Sequence, residues 1–276
     1  MDSLRKMWVI ILYTIREALA RKVFIFFFAI TFLVFAGLAL VVILVDAQTL
    51  GTAFAQSNQK ALITRIANLI EFAIVTPLAN LGLLLAIFSS ASFVPVMLEK
   101  GNIDLLLSKP ISRTQLLLGK YFGVLLFVFI NIFVLVFGVW LIISLKFQYW
   151  NVSFLLVSVV ITFTFAVLYT LILLFNILTK SSIPGMMVAY LIFLILSPVL
   201  LLYREQLRVS IESGVVKTIL DALYFAVPQT SELMGSLLIN TAGGKTLINY
   251  QPVLVSLLFI ILVLIFSIFL FRKKDF

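Results

Sequence analysis

Residues Tyr121–Leu145 read YFGVLLFVFINIFVLVFGVWLIISL, 25 residues without one Asp, Glu, Lys or Arg. About 20 apolar residues, at 1.5 Å of rise each, cross the roughly 30 Å of hydrocarbon in a bilayer. No water is present there to satisfy peptide groups, so such a segment must bond within itself as a helix. Five further stretches are also free of charge: Val23–Val45, Phe72–Leu98, Val152–Leu178, Ile183–Leu202 and Val253–Phe271. The expectation is an all-α integral membrane protein with six transmembrane helices.

Composition narrows the class. Hydrophobic residues make up 63% of the 276 and charged residues 11%, far from soluble averages near a half and a quarter. No loop can hold a soluble catalytic domain, so residues 1–276 are expected to form one membrane domain. The net charge of +9 invites a nucleic-acid reading, but its distribution serves topology. With a cytoplasmic N-terminus, thirteen Lys and Arg fall inside and seven outside, which is the positive-inside bias. Both termini are therefore expected in the cytoplasm, and no nucleic-acid partner is expected. The chain has no Cys and no His. Disulfides, thiolate nucleophiles, the usual zinc ligand sets and Ser–His or His-pair intramembrane proteases are thereby excluded. The first apolar stretch, 23 residues long and without a small-x-small site at Asp46–Thr49, does not read as a cleaved signal peptide.

Before it, residues 1–22 read as an amphipathic elbow helix. Leu4, Trp8, Ile11, Leu12, Ile15 and Leu19 recur at helical spacing, with Arg5, Lys6, Arg16 and Glu17 largely elsewhere. Such a helix lies among the lipid headgroups with Trp8 as anchor and Arg16, Arg21 and Lys22 as basic residues. Pro77 and Pro95 fall in the second span, where proline commonly kinks a helix. The short connections 146–151 and 179–182 imply antiparallel neighbours. Residues 203–252 are the one sizeable external region. Glu205–Leu223 and Leu233–Ile239 read there as two short helices at the outer interface, a candidate surface for an external partner. Gly243-Gly244-Lys245-Thr246 resembles the end of a P-loop, but Ile239 stands where that motif needs its first Gly. It reads as a turn.

Within the spans only neutral polar residues occur, among them Asn80, Ser89, Ser90, Ser92, Asn131, Tyr169 and Asn176. Interhelical hydrogen bonds are their expected use. A path for a lipid-like substrate is the alternative. An ion-coupled carrier acting alone usually needs an intramembrane ionisable residue, which makes that reading the runner-up. A scaffold or membrane enzyme is the third, resting only on the scattered carboxylates Glu99, Asp104, Glu205 and Glu212.

The connection between spans two and three, EKGNIDLLLSKPISRTQ over 99–115, is the most informative cytoplasmic segment, to be read either as an ordinary charged loop that serves topology or as a functional element. Ile103, Leu106 and Leu107 share a helical face, so its first half suits a short amphipathic helix. Pro110 disfavours helical geometry at Lys109 and ends it. Ser112 and Gln115 have capping-box spacing, so a new helix should start at Arg113 and run into span three. A stiff element joined to two spans suits the transmission of an external push.

The run Glu99, Gly101, Leu105, Leu106, Leu107, Ser108, Lys109, Pro110, Ile111, Ser112, Arg113, Gly119, Lys120 resembles the coupling-loop signature of ABC-2 type permeases, most like those of the copper-enzyme-maturation and gliding type. Asn102-Ile103-Asp104 departs from the Thr and Glu of many relatives. The resemblance implies a half-transporter in the plasma membrane of a prokaryote, an exporter or a mechanical machine. Two copies, or this chain and a related one, would bind two separate ATPase subunits that carry ATP and Mg; this chain would be neither an enzyme nor a metal binder. It also implies that the short helix docks on the ATPase, with Leu105–Leu107 as apolar contact, Pro110 as stiffener and Arg113 bonded to the partner.

Overall fold

The computed structural model describes residues 3–20, 29–37, 40, 76–99, 101–103, 108, 111–211, 213–244 and 249–274. No strand occurs among them. Five helices are long and apolar enough to cross a membrane: α2 (Thr76–Met97), α3 (Arg113–Phe147), α4 (Val152–Thr179), α5 (Ser182–Leu207) and α8 (Gln251–Lys273). Ahead of them lies α1 (Ser3–Ala20). Of the expected first span, 29–37 and 40 are helical and the remainder lies outside the described residues. Phe35 of that stretch lies against Gly138 of α3, where any side chain would collide with its ring.

α4 is the central helix. Phe165, Val167, Leu168, Tyr169, Ile172 and Leu173 on it are all fully enclosed. Tyr169 stacks between Phe165 and Tyr121, with ring centroids 5.3 and 5.9 Å away. The chain alternates direction from helix to helix, so one end of the bundle gathers α1, residues 99 and 101–103, the start of α3, the α4–α5 turn and the end of α8. This is the near end. Residues 148–151, 208–211 and 213–244 lie at the far end.

The far end departs from the sequence reading. The expected helix Glu205–Leu223 is two pieces: α5 runs on to Leu207, and α6 (Gly214–Ala226) starts afresh. Ser210, Ser213 and Gly214 account for the break, since serine competes for backbone bonds and glycine resists helical order. Helix α7 (230–242) follows, and its Gly243–Gly244 turn, with Gly244 at φ 64°, is a C-terminal cap. Asp221 of α6 pairs with Arg208 at 2.9 Å and accepts from the Tyr203 hydroxyl at 3.3 Å. Tyr224 donates to Glu232 of α7; burial first, then that bond, raise its pKa.

The neutral polar residues divide in two. Asn80, Ser89, Ser90 and Asn131 bond back to carbonyls three or four residues earlier on their own helices, as short polar side chains in helices often do. Among the described residues they make no interhelical bond. Asn176 does: its Nδ2 donates to the Ala91 carbonyl of α2 at 2.8 Å. Pro95 has no N–H to offer that carbonyl, and α2 opens there into a turn at Ala91–Ser92. A buried amide from α4 replaces the missing donor.

Candidate functional site

At the near end α2 finishes in the short helical piece Phe93–Met97, with Phe93, Val94 and Met97 enclosed. The chain then turns sharply. The Glu99 carbonyl accepts from the N–H groups of Asn102 and Ile103 at 3.1 and 3.3 Å. Gly101 sits at φ 90°, a conformation that glycine adopts without steric cost. Asn102 Nδ2 ties the turn to the Val96 carbonyl at 3.0 Å, and the Ile103 side chain is buried. Glu99, Gly101, Ser108 and Ser112 are exposed. Leu105, Leu106, Leu107, Lys109 and Pro110 lie outside the described residues, as do Arg21 and Lys22.

Helix α3 starts where the capping box placed it. Gln115 N–H donates to Ser112 Oγ at 3.2 Å, and Ser112 N–H to Gln115 Oε1 at 3.1 Å. Two of the N–H groups that a helix start leaves without partners are thereby satisfied. Arg113, the next residue, reaches within the chain: its guanidinium donates to the carbonyls of Arg272 and Lys274, at 3.1 and 2.7 Å. Lys274 in turn donates to the carbonyls of Ile177 and Leu178 at the end of α4. Burial, reinforced by Lys180, holds the Lys274 amine below its usual pKa. Nothing in the sequence pattern signalled either bond.

Gly119 and Lys120 belong to a second arrangement, the seat of α1. A Cβ on Gly119 would lie 2.7 Å from Ile10, and one on Gly123 the same distance from Thr14. Gly119-Lys120-Tyr121-Phe122-Gly123 is thus a small-xxx-small groove that lets two backbones approach closely. Between the glycines the Lys120 ammonium, almost fully enclosed, pairs with Glu17 and lies 5.5 Å from the Tyr13 ring centroid. The face of α1 against α3 is Ile10, Thr14 and Ala18, all buried, while Trp8, Leu12 and Leu19 of the apolar stripe stay exposed, as does Arg16. Ile11 of the same stripe is also buried, so the stripe is divided: Trp8, Leu12 and Leu19 are left for the membrane interface, and the face packed on α3 lies beside them. α1, the turn after α2 and the start of α3 enclose a cleft of about 590 Å³, bordered by Tyr13, Glu17, Asn102, Ser108 and Lys120.

The site brings together no catalytic constellation, and among the described residues no group of three metal-ligating carboxylates occurs. Its described parts are a glycine turn tied to the end of α2, a capped start of α3 and a braced surface helix beside them. Such a turn can receive a force and pass it on. No curated protein matches the chain significantly. The model of a family described as "ABC-2 family transporter protein" matches residues 8–276, nearly the whole chain, so this multi-pass membrane protein belongs to the ABC-2 transporter family.

Proposed function

We propose that the chain is the permease half of an exporter in a prokaryotic plasma membrane, worked by ATP hydrolysis on a separate subunit. Both termini and the near end face the cytoplasm. Two permease chains, identical or related, pair with two ATPase subunits that bring ATP and magnesium, and the chain itself catalyses nothing. Its family implies an ABC ATPase partner in general terms.

The observation that carries this reading is the capped start of α3. At 35 residues that helix is about 50 Å long, against roughly 30 Å of hydrocarbon. Its first turns extend beyond the bilayer core, braced by α1 and joined directly to the exposed turn. A displacement of residues 99–112 by a partner therefore moves a rod that reaches the far end. Lys120 is the one charged side chain of α3 that is deeply enclosed, and Glu17 neutralises it, which suits a structural brace rather than a proton relay.

Affinity purification of the tagged chain, in mild detergent and from cells expressing its neighbouring genes, is expected to retain an ATPase subunit. Persistent loss of any such subunit refutes the reading. Pro110→Gly combined with Arg113→Glu is expected to impair assembly or to slow ATP turnover by the reconstituted complex. Normal values of both would remove the roles given to those residues.

A further inference from the structure

We propose that Arg113 and Lys274 are positioning residues that close a ring of helix ends, so that α4 and α8 follow any movement of the turn between α2 and α3. The inference rests on the transport reading above and goes beyond it, because it concerns two helices that the chain does not join to the turn.

A helix C-terminus leaves its last four carbonyls without intrahelical donors and carries a partial negative charge. At the end of α8, the Leu270 carbonyl accepts from Lys274 N–H at 3.1 Å, and Arg113 takes the carbonyls of Arg272 and Lys274. At the end of α4, Thr179 Oγ1 bonds to the Phe175 carbonyl at 2.8 Å and Lys180 N–H to that of Asn176 at 2.9 Å. The next two carbonyls, Ile177 and Leu178, take the Lys274 ammonium. In each case a cation from a different helix takes two further carbonyls, and bonds from a charged donor are roughly twice as strong as neutral ones.

The links run in a circle. Arg113 joins the start of α3 to α8, Lys274 joins α8 to α4, and Asn176 joins α4 back to α2 at Ala91. The covalent chain from α2 to α3 is the fourth side. Each link ends on backbone rather than on a flexible side chain, so it pulls on the helix axis itself. α2 and α3 cannot tilt together without carrying the ends of α4 and α8.

The chain contains no cysteine, so spin labels can be placed at will. With cysteines at exposed Leu178 of α4 and Ile265 of α8, the chain alone is expected to give a narrow distance distribution. Lys274→Met should broaden it, Lys274→Arg should restore it, and Arg113→Lys, which keeps the charge but not the fork, should give an intermediate width. No broadening in either Lys274→Met or Arg113→Lys overturns the ring. In the complex with its ATPase, labels at Val215 and Leu254 report the far end. Trapping ATP is expected to shift that distance in the parent, and the shift should be lost in Lys274→Met while the ATPase subunit stays bound. A shift that persists in Lys274→Met overturns the transmission role. Failure of the parent to bind any ATPase defeats the transport reading instead, and the label widths still decide the ring.

Discussion

Helices α4 and α8 are both apolar enough to cross a membrane, yet their surroundings are opposite. The most apolar window of α4 has a mean hydropathy of 2.5 and is 72% buried in the protein; that of α8 reaches 3.3 and is 11% buried. The more hydrophobic helix is the less enclosed one. In water this would be a contradiction, but lipid tails are as apolar as leucine, so hydrophobicity supplies no drive for one helix to seek another. α8 leaves Leu254, Leu258, Ile261, Leu262 and Ile265 exposed and turns Ser256 and Ser267 inward. α4 holds the centre through shape, stacked rings and one amide. Hydropathy locates the bilayer; packing and polar bonds locate the core.

The sharpest way to break this contrast is to remove packing from α4. Phe165 is fully buried and stacked on Tyr169. Phe165→Ala should lose about 3–5 kcal/mol, the usual range for deleting an enclosed aromatic ring, measured by reversible unfolding in mixed micelles. A loss below about 1 kcal/mol would mean that α4 is not a packed centre.

The Asn176 bond makes the next test. Asn176→Leu leaves the Ala91 carbonyl buried without its donor, which should destabilise by about 1–3 kcal/mol. Pro95→Ala supplies an N–H to the same carbonyl, so the cost of Asn176→Leu should shrink in that background. Additive effects of the two substitutions in a double-mutant cycle would show that the amide does not serve the proline break.

A smaller effect is expected at the seat of α1. Lys120→Met leaves Glu17 without its cation in a largely enclosed place and should destabilise by about 1–2 kcal/mol. Adding Glu17→Gln should recover most of that, because a buried pair replaced as a unit is often near neutral. Trypsin release of α1 is a second measure: faster in the single variant than in the pair.

What the sequence disclosed and what it hid divide by range. The start of α3 was legible because Ser112 and Gln115 are three residues apart and settle the matter locally. Five spans were legible because the bilayer imposes a length. The partners of Lys120 and Arg113, 103 and 161 residues away, leave no trace in local pattern. Asn176 was read in the same class as Asn80 and Asn131, and the chemistry is indeed the same. Only Asn176 meets a carbonyl that a proline on another helix has released. On α1, periodicity found the apolar stripe but not the packed face beside it, since the face against α3 is defined by glycines a hundred residues further on. Of the segment from Glu99 to Arg113, the capped end and the glycine turn are seen in the structure. The leucines between them remain an expectation carried by family resemblance.

The weakest expected effect decides what covers α8. Leu258 is 59% exposed on the face turned away from α4. In a lipid environment, Leu258→Ala exchanges one apolar surface for a smaller one and leaves no cavity, because lipid fills the space. The transfer gain that makes leucine valuable in a soluble core is absent here, so the change should stay within about 0.5 kcal/mol of the parent in bilayer nanodiscs. Phe165→Ala, tested in the same nanodiscs, sets the scale. A loss at Leu258 approaching that of Phe165 would show that protein, and not lipid, packs against this face, and the contrast between the two helices would collapse.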